Sequence, residues 1–189
     1  MNTFTPLPSF VTETDLSNKF NSQEFLNFIK GDTNLQDHGL VKKGLSTFNS
    51  QNYILDILVF SDLKQIIQNN ISTYCKNIDI REPRITNSWY NIMGEDSKVE
   101  FHIHEGSTIS GVYYPLLEEE NCKLIFKSPN PSINLIPKLT DKGPYSQLKY
   151  FIVPIKQNHL YLFPSYLEHG TLESQGGTRI ALSFNTTVE

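Results

Sequence analysis

The stretch "KVEFHIHEGSTISGVYYP", residues 98–115, decides how the chain is read. Its first half alternates: Val99, Phe101 and Ile103 are apolar, whereas Glu100, His102 and His104 are polar. Period two is the mark of a β-strand with one wet face. On such a strand His102 and His104 share one face, and Phe101 and Ile103 share the other. The second half, "STISGVYYP", is β-branched and aromatic and reads as a further strand. Two imidazoles at i and i+2 can converge on one ion, and neutral imidazole suits Fe, Zn, Cu and Ni. The pair taken alone fits two solvated polar residues equally well.

Outward from this stretch the pattern stays β. "EPRITNSWYNIM" alternates, and "CKLIFKS", "YFIVPIK", "HLYLFPS" and "TRIALSFNTTV" are short apolar runs bounded by turn residues. Seven or so short strands after a helical first part predict a mainly β protein with N-terminal helices (α+β), a jelly roll or similar antiparallel barrel. Upstream, Ser22 is the expected N-cap of a helix over Phe25 to Lys30, with Gly31 as its stop. A second helix is expected after Ser61, where Leu63, Ile66, Ile67, Ile71 and Tyr74 form one apolar stripe. The 189 residues suit one domain. Residues 1–79 would be largely helical support and 80–189 the jelly-roll core. Pro, Asn and Gly break up residues 128–147, a long loop with the character of a lid.

Composition narrows the function. The net charge is -4 and no Lys/Arg cluster occurs, which argues against a sequence-independent nucleic-acid binder. No apolar run reaches membrane-spanning length. "MNTFTPLPSF" lacks the basic start and apolar core of a signal peptide. Cys75 and Cys122 are too far apart for a CxxC motif and are expected as free thiols in a cytosolic protein.

A mononuclear metal site needs a third ligand. Of the five histidines, His169 is best placed: in "LYLFPSYLEHG" it follows a strand and a Pro-containing turn, at a rim. His159, just before that strand, and His38, in "LQDHGL", are weaker choices. Arg179 follows His169 by ten residues. In "TRIALSFN", Ile180, Leu182 and Phe184 take one face, and Arg179, Ala181, Ser183 and Asn185 the other. An inward Arg among small residues leaves room for a flat carboxylate held in a bidentate fork. A salt bridge to an acidic neighbour is the alternative.

The order His102-x-His104, "SGVYY", "LFPSYLEHG", then Arg179 and "SFN" resembles the iron(II)- and 2-oxoglutarate-dependent oxygenases. It is most similar to those of bacterial and phage genomes, over residues 85–187. The resemblance implies a double-stranded β-helix, and a host-cytoplasmic enzyme if phage-encoded. It implies Fe(II) on His102 and His169, and 2-oxoglutarate with its far carboxylate on Arg179. Tyr114, Ser110 and Asn91 would assist around the co-substrate, with Tyr161 a weaker choice. Asn185 would orient substrate or co-substrate, and Trp89 would be core. Dioxygen and 2-oxoglutarate would be consumed, giving succinate and carbon dioxide as an unidentified substrate is hydroxylated.

The departure is at position 104, where such enzymes usually carry Asp or Glu. Three readings are open. His104 completes a three-His site; Glu105 supplies the carboxylate if the chain turns at Gly106; or His104 stands behind the ligands and water fills the position. Outside this family, the residues also fit a cupin-like three-His dioxygenase that needs no 2-oxoglutarate, or a non-enzymatic jelly-roll module. Exposed jelly-roll edges would allow a homodimer.

Overall fold

β10 (Arg179–Thr187) is the strand around which the molecule is arranged. In the computed structural model, which describes residues 9–118, 122–130 and 149–188, it lies in the middle of a seven-stranded sheet. The order is β1 (Thr12–Asp15), β8 (His159–Pro164), β5 (Ile109–Leu117), β10, β4 (Arg84–Val99), β3 (Val41–Ser46) and β2 (Gln36–His38). A three-stranded sheet of β7 (Tyr150–Pro154), β6 (Lys123–Lys127) and β9 (His169–Thr171) faces it. Among the described residues, the pairings between these strands are all antiparallel. This is the double-stranded β-helix.

The alternation expected along β10 holds. Ile180, Leu182 and Phe184 pack on the helical side, with Phe25, Leu63, Ile67 and Ile71. Ala181 faces the other way, into a cluster with Val112, Tyr114, Leu124 and Phe126 between the two sheets. That inter-sheet space contains the site.

α1 (Ser22–Ile29) and α2 (Ser61–Ile78) back the large sheet. The cap of α1 is Asn21, one residue before the expected Ser22; its Oδ1 accepts from the Gln23 N–H at 3.2 Å. A short polar side chain that keeps extended backbone is what an N-cap needs, and Asn21 supplies it. α2 buries Leu63, Ile67, Ile71, Tyr74 and Cys75. Full burial of each large aliphatic side chain contributes about 1.5–3 kcal/mol, so packing rather than propensity holds this helix.

Two local expectations change. Residues before 80 are not helical support alone, because β1, β2 and β3 join the large sheet at its two edges. Their sequences, "TETD", "QDH" and "VKKGLS", are short and polar and lack an alternating apolar face. Second, residues 101–104 do not form a regular strand. They run extended and pair only through an isolated bridge, His102 to His169. Of the expected lid, residues 131–147 lie outside the described residues. Cys75 and Cys122 are both buried. Among the described residues, no helix is long and apolar enough to cross a membrane.

Candidate metal centre

His102 and His169 are locked together by backbone. Each N–H donates to the other's carbonyl at 3.0 Å. The approach is close because Gly170 has no side chain: a Cβ there would lie 2.8 Å from the Val99 carbonyl oxygen. The His104 N–H donates to the Ser165 carbonyl at 3.0 Å, which ties the same segment to the end of β8. His169, distant in sequence, thus meets His102 and His104, and the ligating nitrogens of the three all lie within 4.8 Å of one another. His169, expected at a rim, is the first residue of β9 and is buried.

Two of the rings are oriented by carbonyls. Nδ1 of His102 lies 2.8 Å from the Glu100 carbonyl oxygen, and Nδ1 of His169 lies 2.8 Å from that of Leu167. A carbonyl only accepts, so both rings carry their proton on Nδ1 and keep the Nε2 lone pair for a metal. Desolvation suppresses protonation of all three. It pushes His169 down to about 3 and His104 down to about 4, with neighbouring imidazoles adding to the effect. His102 is lowered for the same first reason, partly offset by the Glu100 carbonyl and the Glu168 charge. Phe163 packs on His169 at 4.5 Å between ring centroids, and Trp89 on His104 at 5.9 Å. Three neutral, convergent imidazoles in a partly dry wall fit a borderline divalent metal such as Fe(II). Glu105 is exposed and is not part of the convergent group.

The histidines open onto a cavity of about 570 Å³. Arg179, 1% exposed, lies beside it. Its guanidinium donates to Thr171 Oγ1 at 3.2 Å and contacts Met93 Sδ at 3.4 Å and Cys122 Sγ. Thr171, Met93 and Tyr114 all line the cavity. Burial raises the Tyr114 hydroxyl well above its ordinary value, so it stays a neutral donor, while Arg179 opposes the shift. Asn91 also lines the cavity, and its buried Oδ1 has no hydrogen-bond partner; Asn87 Oδ1 and His38 Nδ1 are in the same condition. Ser110 does not itself line the cavity; its hydroxyl donates to Asn185 Oδ1, on a residue that does. Trp89 is a cavity wall as well as core, and His38, a weaker choice of ligand by sequence, lies on β2 against the cavity. His159 lies outside the convergent group. Tyr161 bonds backbone at Pro154 and Lys156.

Thr171, Met93, Cys122 and Ser165 escaped the sequence reading. Thr171 alone carried a signal, since it stands two residues after His169 and alternation along β9 puts both on one face.

A family model described as "Putative 2OG-Fe(II) oxygenase" matches residues 87–185, just over half of the chain. No curated protein matches by sequence. Among solved structures, HygX from Streptomyces hygroscopicus, with nickel and 2-oxoglutarate bound, is similar at TM-score 0.60 and 13% identity, over 95% of this chain and 83% of that one. The viral collagen prolyl hydroxylase vCPH from Paramecium Bursaria Chlorella virus-1 gives 0.60 at 12%, over 94% and 96%. A Pseudomonas putida prolyl-4-hydroxylase gives 0.60 at 8%, over 95% and 93%. At such identities these likenesses speak for the fold. With the family match across β4 to β10, the chain belongs to the 2OG-Fe(II) oxygenases, enzymes that depend on Fe(II) and 2-oxoglutarate.

Proposed function

We propose that this oxygenase is a hydroxylase in which His102, His104 and His169 hold the iron and Arg179 holds the far carboxylate of 2-oxoglutarate. The observation that supports it is a buried guanidinium beside the cavity onto which three convergent, neutral imidazoles open. When bound, the iron supplies dioxygen activation coupled to oxidative decarboxylation of 2-oxoglutarate.

The protein's part is to bind, orient and exclude water. Nε2 of His102 and His169 present lone pairs whose direction the Glu100 and Leu167 carbonyls fix. Arg179 offers a planar fork of donors, and Thr171 and Tyr114 add hydroxyls on the same cavity wall. Asn91 brings an unpartnered amide oxygen, suited to a donor on substrate or bound water. With three neutral ligands, the site keeps one more positive charge than a two-His, one-carboxylate site would, which favours an anionic co-substrate.

The rest of the cavity, towards Phe48, Tyr53, Asn87 and Trp89, takes the substrate. It suits an apolar or aromatic group that carries an N–H or O–H donor, because the Asn87 Oδ1 acceptor there is buried and unpartnered.

The test is succinate formation from 2-oxoglutarate with Fe(II), in the wild type, Arg179→Ala and His169→Ala. The wild type should form succinate slowly without added substrate, and both variants should lose this turnover. Equal turnover in all three refutes the assignment. Oxygen consumption independent of 2-oxoglutarate would point instead to a three-His dioxygenase of the cupin type.

A further inference from the structure

His104 is held differently from its two partners. The Nδ1 of His102 and of His169 each meets a backbone carbonyl, which fixes the tautomer. Nδ1 of His104 meets the side-chain amide of Asn185 at 3.4 Å. An amide can accept through oxygen or donate through nitrogen, so this contact leaves the tautomer open. The chain of contacts continues. Asn185 Oδ1 accepts from Ser110 Oγ at 2.7 Å, and Ser110 Oγ lies 2.8 Å from Ser165 Oγ. Asn185, Ser110 and Ser165 are all buried.

Such a chain can run in two directions. In the structure, Asn185 presents Nδ2 to His104 and Oδ1 to Ser110. That direction makes His104 Nδ1 an acceptor and leaves the proton on Nε2, where it blocks a metal. A half-turn of the amide reverses every bond. His104 Nδ1–H then donates to Asn185 Oδ1, Nδ2–H donates to Ser110 Oγ, and the Ser110 hydroxyl donates to Ser165 Oγ. Each group still makes the same number of bonds, but the Nε2 lone pair of His104 is now free.

We propose that Asn185 is the positioning residue for His104, and that metal binding selects the direction in which His104 donates to it. The inference rests on the reading of His104 as a ligand. It also explains what a histidine requires in this place: a carboxylate ligand has no tautomer to set, whereas an imidazole has. The fold anchors Asn185 firmly. The β10–β4 register shifts between Asn185 and Thr186, and Thr186 Oγ1 bonds both the N–H and the carbonyl of Ile109, at 3.0 and 2.8 Å. The carbonyl of Ser165, at the far end of the chain, also accepts the His104 backbone N–H, so the network that starts at the ring ends on the residue that holds the backbone.

The experiment is Co(II) titration of the full chain against a chromophoric chelator, with the Co(II) absorption spectrum recorded, for the wild type, His104→Ala, Asn185→Leu and Asn185→Asp. His104→Ala and Asn185→Leu should each weaken binding about 10–100-fold. Asn185→Asp should bind within a few-fold of the wild type and keep its spectrum, because a carboxylate only accepts and enforces the Nδ1–H tautomer. Wild-type affinity in Asn185→Leu, with His104→Ala weakened, overturns the proposal. So does an Asn185→Asp variant as weak as Asn185→Leu, the mark of a merely structural role. Unchanged affinity in His104→Ala, with His169→Ala weakened, would instead remove His104 from the ligand set and take this inference with it. If Asn185→Leu does not fold, ¹⁵N NMR of the Zn(II)-loaded wild type decides: His104 must carry its proton on Nδ1, and a proton on Nε2 refutes the proposal.

Discussion

Gly170→Ala should damage the metal centre without touching a ligand. Gly170 follows His169 and crosses the chain that leads into His102. A Cβ there would lie 2.8 Å from the Val99 carbonyl oxygen, 3.2 Å from the Phe101 nitrogen and 3.3 Å from the Glu100 carbonyl carbon. All three are backbone atoms, so no side-chain rotation relieves the clash. A carbon-to-oxygen contact is comfortable at about 3.3–3.6 Å, so β9 and residues 99–102 must part by roughly 0.5–0.8 Å. The paired His102–His169 bonds, now 3.0 Å, would stretch beyond useful length. Metal sites tolerate about 0.2 Å in ligand distance, so the displacement exceeds the tolerance. Co(II) affinity should fall at least about tenfold, the usual size for disturbed ligand support. Stability should fall by about 1–3 kcal/mol, as for overpacking, which leaves the protein folded. Chelator competition measures the first and urea unfolding the second. Gly94→Ala is the control, since a Cβ there meets nothing within 4 Å. Wild-type metal affinity in Gly170→Ala would show that the bridge does not set the ligand geometry.

Arg179→Met should weaken 2-oxoglutarate binding about 30-fold or more, the effect of deleting one partner of a buried charge pair, while Co(II) affinity stays within a few-fold; calorimetry on the metal-loaded protein measures both. Arg179→Lys should rescue little, because an ammonium lacks the planar fork. The metal-free protein should lose stability as pH falls below about 6.5. Folded His104 and His169 protonate only near 4 and 3, so between those values and 6.5 the unfolded chain binds more protons and acid favours unfolding. Above 6.5 these groups contribute no slope, and His169→Asn should flatten the acid limb in thermal melts against pH. Phe184→Ala should cost about 3–5 kcal/mol in urea unfolding, since its ring is fully buried behind the large sheet; a loss under 1 kcal/mol would contradict its place in the core.

The parts of this molecule that were readable in the sequence are those with a period. β10 alternates, and α2 carries a stripe at helical spacing, so their faces followed from residue order. β1, β2 and β3 were not readable, because four-residue "TETD" and three-residue "QDH" bury too little to leave a pattern. The "FHIH" segment alternates like a strand yet pairs only through one bridge, since period two reports extended backbone and not the partner. His102, His104 and His169 were identified from chemistry and spacing, and the fold brings them together. Their supports could not be inferred. Asn185 lies 81 residues from His104, and Cys122 lies 57 from Arg179; only the sheet topology relates them.

β10 has one more consequence. Ala181, Ser183 and Asn185 line the cavity and Ile180, Leu182 and Phe184 face the helices, so chemistry and cohesion are written on alternate letters of one nine-residue word. Inserting or deleting a single residue inside this strand, just after Arg179, would exchange the two sets beyond it. An amide would enter the oil beneath the helices, and Leu182 and Phe184 would enter the cavity. Such a frame error cannot yield a stable but inactive protein, or an active but weakened one. Along this strand, drift is confined to substitution in place.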